Sequence, residues 1–423
     1  MWIEVTPQKS LVDEPLRIVV GGGPPGAWVT VRAVLRDDAA QRWASWGAFV
    51  ADAAGLVDLA TQAPVKGTWA TVDPMGLIWS MRDEGQPSGR VSFVKRDVTP
   101  LRIEVVAEAG AETATAPPVE RQMVAPDVQR IELRDHGLVG TYFRPAGSGP
   151  LPGVIVVGGS GGGLNEPSSA LMASRGLVAL ALAYFGVETL PPDLRRIPLE
   201  YFETAIGWLR TRAEVRSGGV GVVGTSRGGE LALLLGSTFP TINRVVAYVP
   251  SGVVHGAISR GETDPRSPEP AWTYRGEAVP FIQPRSGRSA PSPTPPGEPI
   301  PLTPIFLHMH ADRGAVAAAT IPVERINGPV LLISGDDDQM WPSTPFSRQV
   351  VERLSSQGFP HPFDHRGYPD AGRMIGAPLG PATVQASLHP VRGELYSYGG
   401  TSRGNAAARA DSWPRVIRFL KGD

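Results

Sequence analysis

Gly224-Thr-Ser-Arg-Gly228 reads G-x-S-x-G, and it stands between an apolar β-branched run at 220–223 and a helix-forming run at 230–235. In that setting Ser226 falls on a sharp, strained strand-to-helix turn. The glycines two residues to either side let the neighbouring backbone pass closely. The chemistry such a turn serves is nucleophilic acyl transfer. The hydroxyl stands exposed at the carboxyl end of a sheet, and the N–H of Arg227 is free to bind an oxyanion at the helix N-terminus. A second glycine-rich run, 158–163, follows the apolar run 154–157. It does not complete a G-x-G-x-x-G dinucleotide unit with an acidic ribose partner. Its expected role is the second oxyanion N–H, from Gly159, Ser160 or Gly161.

A serine nucleophile needs an acid and a base, which in this chain order should follow it. Asp336, Asp337 and Asp338 come straight after a strand-like run, and Asp338 has the best spacing for orienting a base. The turn where the base belongs, after the strand-like 362–369, carries Arg373. A guanidinium stays charged and accepts no proton. Seven histidines exist: 136, 255, 308, 310, 361, 365 and 389. His365 and His389 are the best substitutes, because a nearby turn could bring either to Ser226.

These residues need a scaffold, and the chain alternates in character along its length. Residues 1–122 hold short alternating or β-branched runs, among them 16–20, 28–34, 48–50, 91–94 and 101–106, separated by Gly/Pro/Asp turns. That is the pattern of an all-β, immunoglobulin-like sandwich. Residues 123–423 open with a strand pair and then alternate strand and helix, which predicts an α/β domain around a parallel sheet. Between two of its strands, 261–304 is rich in Pro, Ser, Arg and Gly without periodicity. It is expected to be a long loop capping the site.

Composition narrows the partners. With 423 residues two domains are expected. The 40 basic and 41 acidic residues give a net charge of −1 with no basic block, which argues against nucleic acid. Only Lys9, Lys66, Lys95 and Lys421 are lysine, so 36 of the 40 basic residues are arginine, as in a GC-rich, bacterial-type genome. Cysteine is absent, which removes disulfides, thiolate metal sites and a cysteine nucleophile. No apolar run reaches 18 residues and no secretory signal opens the chain, so a cytoplasmic protein without a membrane span is expected. Neither metal nor cofactor is expected.

The motifs together resemble the type I acyl-CoA thioesterase / bile acid-CoA:amino acid N-acyltransferase family over nearly the whole chain. The resemblance rests on Asp13-Glu-Pro-Leu-Arg-Ile18, Leu35-Arg-Asp37 and Asp73-Pro-Met-Gly-Leu-Ile-Trp79, then on Val157-Gly-Gly-Ser-Gly-Gly-Gly-Leu164, Ala179-Leu-Ala-Leu-Ala-Tyr184 and Gly224-Thr-Ser-Arg-Gly-Gly-Glu-Leu-Ala232. Tyr274-Arg-Gly-Glu277, Ile321-Pro-Val-Glu-Arg325 and Gly335-Asp-Asp-Asp338 complete it. It implies a β-sandwich followed by an α/β-hydrolase domain, a nucleophile at Ser226, an acid at Asp338 and a small acyl substrate such as a CoA thioester. It also implies a histidine in a Tyr-Pro-x-x-Gly-His turn, which here reads Tyr368-Pro-Asp-Ala-Gly-Arg373. His389 matches a histidine position of the family outside its triad. Three readings follow from Arg373. Another histidine serves as base; or the substrate's own amine or alkoxide does, with Arg373 clamping a carboxylate or phosphate; or the fold is repurposed for ligand binding or a non-hydrolytic biosynthetic step such as that of a cyclase or lyase.

Overall fold

A computed structural model describes residues 1–86, 90–147, 149–260, 268–282 and 294–422. The first 122 residues form two β-sheets. The larger follows the order Lys9–Leu11, Val119–Gln122, Leu101–Ala109, Trp28–Arg36, Arg42–Val50, Lys66–Gly67, with Glu112–Thr115 and Arg82–Asp83 added beside it. The smaller pairs Trp2–Thr6, Arg17–Gly21 and Val57–Asp58. Period-two alternation turns Val29, Val31, Ala33 and Leu35 into one core. The run 91–94 is not a strand, contrary to its β-branched composition. The Asp37 turn binds it instead, Val94 N donating to Asp37 Oδ2 at 3.0 Å, and Phe93 stands edge-on to Trp43 at 5.4 Å.

From residue 128 the chain builds an eight-stranded sheet: β1 (Val128–Leu133), β2 (Val139–Pro145), β3 (Gly153–Val157), β4 (Val178–Ala183), β5 (Val220–Thr225), β6 (Ile242–Tyr248), β7 (Val330–Gly335) and β8 (Phe363–Tyr368). Their spatial order is β1-β2-β4-β3-β5-β6-β7-β8. The first two strands run antiparallel to their neighbours, and every later pair is parallel. Among the described residues seven helices accompany the sheet: α1 (Glu166–Ser174), α2 (Leu199–Arg210), α3 (Arg227–Thr238), α4 (Thr303–His310), α5 (Arg313–Ala319), α6 (Ser343–Ser356) and α7 (Ser402–Lys421).

Alternation sorts the strand side chains onto two faces. Val154, Val156, Ala179, Ala181, Val223 and Val246 pack with α1 and α7. Ile155, Val157, Leu180, Val222, Val245 and Leu332 pack with α2, α3 and α6. Both faces are covered, which is why these strands read as continuous apolar runs rather than as alternating ones. This is an α/β-hydrolase sheet with helices on both sides. No helix of the described residues is long and apolar enough to cross a membrane.

The β-sheets of the first 122 residues dock onto the α1/α7 face, and the quoted motifs make the joint. Partly buried Asp13 accepts from Arg175 Nε at 2.8 Å and from Trp413 Nε1 at 2.9 Å. Asp73 accepts from Met75 N and Trp79 Nε1, both at 2.8 Å, and starts a helical turn over Gly76–Trp79. Ala382 N donates to the Trp79 carbonyl at 2.9 Å.

The stretch 261–304 departs from the expected plain loop. Residues 261–267 and 283–293 lie outside the described residues. Those between form a hairpin, Trp272–Tyr274 against Glu277–Ala278, beside the strand Ile197–Pro198. Its two-residue turn, Arg275-Gly276, has φ of 54° and 82°. Both angles belong to the primed turn that matches strand twist. Two- and three-residue strands are too short to leave a periodic trace in the sequence.

Candidate active site

Ser226 links β5 to α3 with φ 64° and ψ −122°, a strained conformation for a non-glycine residue. Close backbone approach dictates its two glycines. A Cβ on Gly224 would lie 1.8 Å from the Gly228 carbonyl oxygen, and one on Gly228 would lie 2.3 Å from the Gly158 oxygen. The turn is pinned by Ser226 N donating to Tyr248 O at 2.8 Å and by Glu230 N donating to Ser226 O at 3.0 Å. Ser226 opens into a cavity of about 810 Å³, which Ser160, Arg227, Trp341, Arg373 and His389 also line.

Arg373 lies between Asp338 and Ser226. Its Nη1 donates to Asp338 Oδ2 at 3.1 Å, its Nη2 donates to Ser226 Oγ, and its guanidinium carbon rests 4.9 Å from the Trp341 ring centroid. In a Ser-His-Asp triad an imidazole fills that place. The loop holding Arg373 is fixed from several directions. Arg373 N donates to Tyr398 O at 2.8 Å, and Gly372 N donates to Asn405 Oδ1 at 2.8 Å. The buried Arg409 guanidinium donates to the carbonyls of Met374 (2.7 Å) and Pro381 (2.8 Å), and burial pulls its pKa down to about 10. Asp338 is 3% exposed. Burial pushes its carboxyl pKa up, opposed by the Arg373 charge and by its hydrogen bonds, including Met340 N at 3.0 Å.

The glycine loop sits against the elbow. A Cβ on Gly159 would lie 3.1 Å from Ser226 Cβ, and one on Gly161 would lie 3.0 Å from Pro390 Cγ. Tyr184 Oη donates to the Gly158 carbonyl at 2.7 Å and fixes that peptide. Arg227 N is the first N–H of α3, in the turn whose N–H groups lack intrahelical acceptors.

The two histidines expected to substitute as base fare differently. His365 belongs to β8, its Nε2 lies 2.7 Å from Ser334 Oγ, and it does not line the cavity, so the structure does not bring it to Ser226. Its strand pairs with β7, and from the turn that follows Arg373 lines the cavity. His389 does line the cavity, but its nearest serine is Ser160, with Nε2 2.8 Å from Ser160 Oγ. Its Nδ1 receives the N–H groups of Val391 (3.2 Å) and Arg392 (3.1 Å). The network therefore assigns the ring proton to Nε2. Burial, with Arg373 and Arg392 adding to it, pushes the pKa of His389 down to about 4. In this arrangement the ring donates to Ser160, and no lone pair is left for a base.

The sequence reading missed a buried network beside the elbow. Glu230 accepts from His255 Nδ1 (2.9 Å) and Trp272 Nε1 (3.0 Å) and pairs with Arg227 Nη1 (3.3 Å). His255 Nε2 meets His310 Nε2 at 3.2 Å. Burial and the neighbouring His255 push the pKa of His310 down to about 3. The signal was a glutamate inside an apolar helix run, four residues after Ser226, where only a buried partner stabilises a charge. Both His255 nitrogens are occupied, so the network braces Arg227 and the cavity wall.

Comparison with known proteins follows the same lines. The family described as "Acyl-CoA thioester hydrolase/BAAT N-terminal region" matches residues 13–135. "BAAT / Acyl-CoA thioester hydrolase C terminal" matches 197–290 and 296–423. Human acyl-coenzyme A thioesterase 1 is 33% identical over 414 residues, covering 96% of this chain and 93% of the human protein. The peroxisomal succinyl-coenzyme A thioesterase of Mus musculus is 31% identical over 420 residues, covering 97% and 94%. A puromycin-hydrolysing peptidase of Mycobacterium tuberculosis is similar with a TM-score of 0.42 and 15% identity, covering 96% of this chain and 55% of that one, too weak to add to the fold read from the sheet. With both halves matched and relatives aligned over more than nine tenths of each chain, the chain belongs to the acyl-CoA thioester hydrolase/BAAT family of α/β-hydrolase enzymes.

Proposed function

We propose that this enzyme transfers acyl groups from a CoA thioester, or from a comparably activated acyl substrate, through Ser226 in a Ser–Arg–Asp arrangement. The observation that carries the reading is the Asp338–Arg373–Ser226 chain of contacts at a strained elbow that opens into the cavity. The guanidinium holds the serine rotamer and stabilises negative charge developing on Oγ, but it removes no proton. Acylation therefore suits a leaving group that takes its own proton. Ser226 Oγ bonds to the acyl carbon, the C–S bond breaks, and the hydroxyl proton departs with sulfur as the free thiol. Arg227 N–H and the loop at Gly159, Ser160 and Gly161 would hold the oxyanion. Loss of a triad base leaves only part of the usual rate enhancement, so slow turnover is expected.

A second reading is favoured by the polarity of the site, where Arg373 and the start of α3 present donors. A carboxylate or phosphate ligand would satisfy them without an acyl-enzyme. The two separate in one experiment: intact mass and CoA release after incubation with short-, medium- and long-chain acyl-CoA thioesters, for wild type and Ser226→Ala. A serine-dependent adduct or CoA release supports acyl transfer, and the absence of both overturns it in favour of ligand binding.

A further inference from the structure

The hydrogen-bond direction at His389 has a chemical outcome of its own, which rests on the acyl-transfer reading above. Because Nδ1 accepts from Val391 N and Arg392 N, Nε2–H must donate to Ser160 Oγ. The Ser160 oxygen is thereby an acceptor with its own proton still to place. Ser160 lines the cavity directly after Gly159, and Gly159 abuts Ser226. We infer that the Ser160 hydroxyl is a catalytic donor to the acyl oxygen as it becomes an oxyanion, and that His389 is the positioning residue that aims it.

Three features support the assignment. His389 sits at the tip of a hairpin between the strands Ala386–Leu388 and Leu395–Ser397. That tip is closed by His389 N to Glu394 O (2.9 Å) and Gly393 N to His389 O (2.7 Å), so the N–H groups of Val391 and Arg392 are presented to the ring by a fixed turn. The neighbouring Pro390 packs on the glycine loop at Gly161, which joins hairpin and loop into one unit. A hydroxyl whose oxygen accepts an N–H is a stronger donor in turn. The resulting donor is a side chain, where the backbone of the same loop was the expectation. It compensates in part for the missing base, because it acts on the oxyanion and requires no proton transfer.

The test uses the full chain and measures CoA release and the Ser226 acyl adduct together, in wild type, Ser160→Ala, Ser160→Thr, His389→Gln and His389→Leu. Loss of one side-chain oxyanion donor lowers kcat by about 10²–10³ with little change in KM. Ser160→Ala should show that loss, and Ser160→Thr, which keeps the hydroxyl, should restore most of the rate. His389→Gln keeps a donor facing Ser160 and should stay near the wild type, while His389→Leu should fall toward Ser160→Ala. The double variant Ser160→Ala/His389→Leu should lose little more than either alone, since the two act as one unit. If Ser160→Ala leaves kcat within a few-fold in an enzyme that still forms the Ser226 adduct, the donor role is overturned and the acyl-transfer reading survives. If wild type gives neither adduct nor CoA release, both fall together.

Discussion

Replacing Arg373 by histidine tests the central contact directly. The guanidinium nitrogens that touch Asp338 Oδ2 and Ser226 Oγ span a gap that the two nitrogens of an imidazole also bridge. In Arg373→His, Nδ1–H would donate to Asp338 and Nε2 would accept the serine proton. Deleting the side chain, as in Arg373→Ala, leaves Asp338 buried without its partner, a loss of about 3–5 kcal/mol. An imidazole N–H recovers one hydrogen bond to a charged group, about 1.5–3 kcal/mol, so Arg373→His should lose about 1–3 kcal/mol. A positioned general base contributes about 10²–10⁴ in rate, about 3–5.5 kcal/mol off the barrier. CoA release from acyl-CoA should therefore rise by that factor over wild type. It should also gain a limb that increases with pH through the imidazole titration, because only the neutral ring accepts a proton. Wild type, with no base at this place, should lack that limb. The assay is steady-state thiol release across pH for wild type, Arg373→His and Arg373→Ala, with urea unfolding of each. A folded Arg373→His enzyme no faster than wild type, or one without the imidazole limb, refutes the reasoning.

Other outcomes follow from the same geometry. Ser226→Gly and Ser226→Ala both remove the hydroxyl, so their difference isolates the backbone; the glycine variant should be more stable by about 1–3 kcal/mol in denaturant unfolding. His389 is protonated less readily folded than unfolded, so its share of stability is full above the unfolded pKa of about 6.5 and declines as pH falls toward about 4. Comparing wild type with His389→Gln, the extra stability of wild type should shrink by about 2 kcal/mol between pH 7 and pH 5, and equal slopes would contradict the lowered pKa of His389. Asp13→Ala removes the carboxylate shared by Arg175 and Trp413 at the joint between the first 122 residues and the α1/α7 face, which should lower stability by about 2–4 kcal/mol in denaturant unfolding.

The elbow was legible because its glycines answer to backbone collisions that any sequence must respect, and Gly224, Ser226 and Gly228 stand where those collisions require. The parallel sheet was legible because strands covered on both faces carry unbroken apolar runs, as in β3, β4 and β5. Arg373 could be placed on the turn after β8, but its reach to both Asp338 and Ser226 depends on side-chain conformation. The direction of the His389 hydrogen bonds was hidden more deeply. It depends on two backbone N–H groups that meet Nδ1 only once the hairpin has closed. Residues 91–94 misled because Phe93 is apolar for packing against Trp43, and Val94 gives its backbone N–H to the Asp37 carboxylate rather than to a ladder.

The apolar core beneath the N-terminal sheets runs without a break into α1, α7 and one face of the eight-stranded sheet. Heat or urea should therefore meet one cooperative unit where the chain outline suggests two. Removing the first 122 residues would bare Trp413 and its neighbours in the shared core to water, and the remainder should aggregate rather than persist as a free catalytic half. A swap of N-terminal sheets between relatives would have to bring a matching α1 and α7 surface with it. The two halves are consequently constrained to diverge together.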